Sequence, residues 1–221
     1  MYTIRFSVEQ LFDRCIASSV AHAVYTFKNP FFSYSQSWYG NNFSFHYGTA
    51  RGTISFNDDH TLAAGAIREE KSFRRSWYPG IRASQLFADA PQAVRMLAEE
   101  QALEFLHDSE GDFTGPMATT VFWSDGGQMI FPDNKEDFAQ HGSAFVELLM
   151  SETDVFRGWI FEEFLEENED IQAFEFFYKA HQNGEKKVRL PNSLRYLKKT
   201  EGTQEGRESL KEIGIEWGGL F

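Results

Sequence analysis

Residues Val8, Leu11, Phe12, Cys15, Ile16, Ser19, Val20, Ala23, Val24 and Phe27 fall on one stripe of the 3.6-residue period, the pattern of a helix with one buried face. Ser7 and Gln10 stand three apart just ahead of it, the spacing of a capping box that satisfies orphaned N–H groups at a helix start. Asn29-Pro30 ends the helix, because a residue before proline disfavours helical backbone. From Phe31 to Glu70 the period falls to two. Phe32, Tyr34 and Trp38 alternate with small polar residues, and Phe43, Phe45 and Tyr47 alternate again after the turn signal Gly40-Asn41-Asn42. Thr53–Phe56 and Leu62–Ile67 follow, separated by the polar turn Asn57-Asp58-Asp59-His60. This reads as an antiparallel meander joined by hairpins.

Helical spacing returns over Ser84–His107, where Val94, Leu97, Ala98, Gln101, Ala102, Phe105 and Leu106 share a face and Pro91 suits a first turn. An acidic loop, His107–Asp112, leads to a hairpin of Thr119–Trp123 and Gln128–Phe131. The proline-free stretch from Pro132 to Pro191 predicts one helix carrying Phe138, Phe145, Leu148 and Leu149. A second is predicted over Glu152–Asp170, with a continuation through Ile171, Phe174, Phe177 and Tyr178. The expected fold is α+β, with an antiparallel meander of about five to six strands covered by about four to five helices. Residues 1–182 read as one domain and 183–221 as a basic C-terminal extension.

Charge narrows the function classes. The 221 residues hold 21 Lys and Arg against 33 Asp and Glu, a net charge of −12, so no nucleic-acid partner is expected. The patch of Arg74, Arg75 and Arg82 around Trp77-Tyr78 is too small to reverse that. Apolar runs are too short to span a bilayer, and no basic-then-apolar leader opens the chain, so no membrane partner and a cytoplasmic location are expected. Cys15, the one cysteine, excludes an intramolecular disulfide. The 23 Phe, 8 Tyr and 5 Trp read first as a Phe-rich core, and any surplus left on an acidic surface would point to protein recognition.

No strong catalytic motif is present. No two histidines stand three or four apart, and nucleophile-elbow and phosphate-loop patterns are missing, so no metal and no cofactor are expected. Asp58, Asp59 and His60 are the densest set of potential catalytic groups. With an acid from Asp108–Asp112 they are the first suspects of a hydrolase reading. The better candidate is a binding face. Glu162, Glu163, Glu166, Glu167, Glu169 and Asp170 crowd one segment beside Trp159, with Arg157 as the lone nearby cation, and like charges so close repel unless a cation meets them. That cation is either the basic extension folding back or a basic protein partner. The expected function is therefore a non-enzymatic, acidic protein-binding module, in its most concrete form a bacterial immunity-type protein masking a basic toxic enzyme. A homo-oligomer meeting itself through surplus aromatics is the third reading.

Overall fold

A computed structural model describes residues 1–74, 82–110, 113–125 and 127–217. The stretch around Trp77 and Tyr78, with Arg75, and also Asp112 of the acidic loop lie outside the described residues. In chain order the elements are β1 (Tyr2–Ile4), α1 (Val8–Thr26), β2 (Gln36–Tyr39), β3 (Asn42–Tyr47), β4 (Ala50–Phe56), β5 (Ala63–Glu69) and α2 (Gln92–Leu97). Then come β6 (His107–Glu110), β7 (Phe113–Pro116), β8 (Thr120–Asp125), β9 (Gln128–Phe131), α3 (Lys135–His141), α4 (Ala144–Leu149), α5 (Thr153–Phe164), α6 (Asn168–Gln182), β10 (Lys187–Val188), α7 (Thr203–Glu212) and β11 (Glu216–Trp217).

The fold is α+β, built on a seven-stranded antiparallel sheet in the order β1-β9-β8-β5-β4-β3-β2. The capping box forms as its spacing implies: the Ser7 N–H donates to Gln10 Oε1 at 2.9 Å and the Gln10 N–H to Ser7 Oγ at 3.0 Å. The first hairpin turns at Gly40, whose φ of +59° is open to glycine at no steric cost.

Four local expectations are corrected. Pro30–Ser35 is a 3-10 turn and not a strand, because Pro30 presets a helical φ at its first position and the Phe32 carbonyl is taken by the buried His22 ring instead of a ladder partner. The helix expected over Ser84–His107 is divided into a 3-10 turn (Ala83–Phe87), α2, a π turn (Ala98–Ala102) and a second 3-10 turn (Glu104–Leu106). Part of the acidic loop is the paired ladder of β6 and β7. Finally, both long C-terminal helices break. Ser143 caps α4 through its hydroxyl after Gly142, and α5 stops at Phe164 because Glu167 and Asp170 form a capping box that starts α6 afresh.

The chain divides into two compact units: Met1–Phe12 with Tyr39–Met150, and Asp13–Trp38 with Ser151–Phe221. In the first unit both faces of the sheet are buried. Register places Ile54, Gly65 and Phe122 on one face, beneath Phe12 of α1 (5.2 Å from Phe56), Phe138 of α3 (4.7 Å from Phe131) and Phe145 of α4 (4.7 Å from Phe45). The opposite face sets Ala64, Ala66, Val121 and Trp123 under Phe87, Val94, Leu97, Ala98 and Ala102. In the second unit Phe27 stands 5.2 Å from Trp217, which stands 5.9 Å from Phe177, and Gly206 of α7 lets Phe27 approach. The edge strand β2 is tied here: the Trp38 indole donates to Ser19 Oγ at 2.8 Å and its backbone N–H to Glu212 Oε2 at 2.8 Å.

A Cβ at Gly65 would lie 2.1 Å from the fully buried Phe122 ring. Gly65→Ala is therefore expected to cost about 1–3 kcal/mol as overpacking, read as a lower urea midpoint. An unchanged midpoint would mean that the ring moves freely.

Candidate functional site

Asp58, Asp59 and His60 close the turn between β4 and β5. Asp59 Oδ1 accepts from Asn57 Nδ2 (2.6 Å) and Thr61 Oγ1 (2.7 Å), and these bonds hold its carboxyl below the usual range, with the Thr61 hydroxyl the largest cause. Asp58 Oδ1 accepts from Asn41 at 3.1 Å. His60 takes a left-handed φ of 53° and stacks on Phe12 at 3.8 Å. These groups are engaged in shaping the turn.

The acid expected to complete a hydrolase site is elsewhere. Asp108 bridges Arg51 (2.5 Å) and the buried Arg68, which also holds Glu70 at 2.9 Å. Arg51 and Arg68 are cross-strand partners near one end of the β4–β5 hairpin, whereas the turn follows the Phe56–Ala63 pair at the other. Five residues of strand, roughly 17 Å, lie between. Register thus keeps Asp108 away from Asp58–His60, while Asp112 lies outside the described residues.

One polar constellation escaped the sequence reading. Ser72 Oγ lies 2.9 Å from His141 Nδ1, though the two are 69 positions apart. Beside them Arg74 donates to Asp133 Oδ2 (2.6 Å) and the Thr119 carbonyl (3.0 Å), while Thr120 donates to the same Asp133 oxygen at 2.5 Å. Burial, then the Arg74 charge, lowers the His141 pKa. Ser72 and His141 are 5% and 1% exposed, so the cluster anchors the chain after β5 and presents no nucleophile to solvent. Arg74 is accordingly turned inward, away from any basic surface patch. No short-range spacing signals such a set. Among the described residues no group of three His, Cys, Asp or Glu is placed to hold a metal, and no helix is long and apolar enough to cross a membrane.

The acidic segment divides in two. Asp170 is 3% exposed and, with Glu167, is bound to Lys28, whose ammonium lies 3.0 Å from Glu167 Oε2 and 2.9 Å from Asp170 Oδ1. Burial opposes the Lys28 charge, but the two carboxylates prevail and raise its pKa. Asp170 is therefore corrected from a partner-facing group to a buried cap, and the cation that meets it is Lys28 and not a residue of the basic extension. Glu162, Glu163, Glu166 and Glu169 are exposed. Glu162, Glu166 and Glu169 enter no ion pair among the described residues. The last turn of α5 carries acids and no base, at the end where the helix dipole is already negative.

The second unit, which carries these charges, also carries aromatic surface. In the 3-10 turn Pro30–Ser35, positions three apart eclipse, so Phe31 and Tyr34 form one outward ridge, 86% and 69% exposed. Phe32 links the ridge inward: its ring is 5.7 Å from Tyr25, which is 6.1 Å from Phe164 at the end of α5. Trp159, the expected anchor, is half-buried between Phe156 and Phe164. Sequence reading took Phe31–Tyr34 for a strand and so missed the ridge; the signal that marks it is Pro30 opening an aromatic run. The second unit also holds a cleft of about 860 Å³ at α7, β10 and β11, lined by the bases Lys187, Arg207 and Lys211, the acids Glu201, Glu208 and Glu216, and Trp217.

No protein-family model, curated protein or solved structure matches the chain.

His22 positions the ridge, its Nε2 lying 2.9 Å from the Phe32 carbonyl it donates to. Burial, opposed by this bond, pulls its pKa from 6.5 down to about 4, so the ring is neutral when folded. A depressed histidine pKa gives stability that is complete above 6.5 and lost as pH falls towards 4, here about 3 kcal/mol. Urea denaturation at pH 7 and pH 4 is expected to show this loss. His22→Gln, which keeps an N–H donor, removes that part of it, and an equal loss in both proteins would contradict the role given to His22.

Proposed function

We propose that the protein is a non-enzymatic binding module that captures a basic protein through the acidic and aromatic surface of its second unit. The carrying observation is that the second unit holds both an exposed aromatic ridge, Phe31 and Tyr34, and the exposed carboxylates Glu162, Glu166 and Glu169. Aromatic side chains anchor interfaces by burying large areas at little entropic cost, and surrounding charges steer a partner of opposite sign. Glu162 stands at the negative end of a helix, with Glu166 and Glu169 close behind it in the chain, an arrangement that repels itself and is relieved by a cationic ligand. The net charge of −12 favours such a partner over a second copy of the chain. In its most concrete form the partner is a basic toxic enzyme, such as a nuclease, and binding masks its active surface.

The test is affinity capture from the source cell with the wild type, a Phe31→Ser/Tyr34→Ser variant and a Glu162→Lys/Glu166→Lys/Glu169→Lys variant. A basic protein is expected to be retained at low salt and shed at moderate salt. The aromatic variant is expected to lose at least about 1.4 kcal/mol, a tenfold drop in affinity, and the lysine variant to bind more slowly with a flatter salt dependence. Equal recovery by all three proteins, or nothing specific at either salt, would end this reading.

A further inference from the structure

The sheet face opposite Phe122 carries a row of hydrogen-bonding groups inside an otherwise apolar layer. Asn42 of β3 is the register partner of Ser55 on β4, Ser55 pairs with Ala64 on β5, and Ala64 pairs with Trp123 on β8. Thr53, two residues from Ser55, projects from the same face. Asn42 Oδ1, Thr53 Oγ1, Ser55 Oγ and Trp123 Nε1 are fully inaccessible, and none has a hydrogen-bond partner among the described residues. The lid over this face repeats the pattern. Gln101 lies in the π turn Ala98–Ala102, closed by the Leu103 N–H on the Ala98 carbonyl at 2.9 Å, and its Oε1 is likewise buried and unmatched.

Orphaned buried polar atoms are rare, because each forfeits the bond it made to water when unfolded. Here they cluster, and they are complementary in type: one N–H donor, two hydroxyls that both donate and accept, and two amide carbonyls that accept. The flanking residues are small, with Ala64, Ala66, Ala98 and Ala102 in the same layer. The Asn42 end reaches towards the surface, since its amide donates to the carbonyl of the exposed Tyr39 at 3.1 Å.

We infer that this row is a binding site for ordered internal water, running along the sheet face from the Asn42 amide past Ser55 and Thr53 to the Trp123 indole. Water is the ligand chemistry that fits. The groups carry no charge, they lie within a closely packed layer, and a water molecule bonds about three such neighbours at once.

Two measurements on the full chain test it. In water-selective nuclear Overhauser spectra, the Trp123 indole N–H, assigned by its loss in Trp123→Phe, is expected to show a cross-peak to long-lived water. Its absence overturns the inference. Thr53→Val keeps shape and removes the hydroxyl. A hydroxyl bonded to water makes this variant melt lower by about 2–4 °C, with Thr53→Ser melting closer to the wild type. A dry, orphaned hydroxyl makes Thr53→Val melt higher, and that result also overturns it.

Discussion

The first unit depends on side chains that are missing from the middle of its sheet. Gly52 and Gly65 leave bare backbone on β4 and β5, and the rings of Phe45 and Phe122 lie across it, within 2.5 Å and 2.1 Å of where a Cβ would stand. This lets Phe12, Phe138 and Phe145 close over one face while Ala64 and Ala66 admit a helical layer on the other. A strand buried on both faces has no room for the usual alternation of apolar and polar residues, and Ala63–Ile67 is apolar throughout for that reason. Of the 23 phenylalanines, those set against such gaps are core, and Phe31 and Phe32 stand out by contrast.

How much was legible follows from the range of each interaction. The capping box of Ser7 and Gln10, the meander from Phe43 to Ile67 and the hairpin of β8 and β9 are set by neighbours a few residues away, and their patterns survive into the structure. The break at Leu165 is local too, but it is written in Glu167 and Asp170, which read first as members of an acidic helix face. The 3-10 turn at Pro30 imitates strand periodicity, since Phe32 and Tyr34 are two apart in either state. What settles it is His22, on another element. The pairing of Ser72 with His141 and of Arg68 with Asp108 spans tens of residues and leaves no mark in spacing.

The same distinction governs the candidate binding surface. Its charges were visible as a run of acids, but contacts sort them: the buried Asp170 and the exposed Glu167 belong to Lys28 and the start of α6, while Glu162, Glu163, Glu166 and Glu169 are also on the outside. The aromatic half came from a segment first assigned to the sheet. The 3-10 geometry sets two of the exposed aromatics, Phe31 and Tyr34, on one side; Tyr39, Phe73 and Phe105 are exposed elsewhere.

The carboxylate of Glu212 on the Trp38 N–H has a bearing on solubility. An edge strand offers unsatisfied donors and acceptors to any extended chain that drifts past, and a protein with so many aromatic residues near its β2 margin is exposed to runaway strand addition. A side chain that takes the edge donor for itself, and brings a negative charge with it, makes that margin a poor template. The chain thereby carries a ring-rich exterior while denying it the backbone contacts from which fibrils grow.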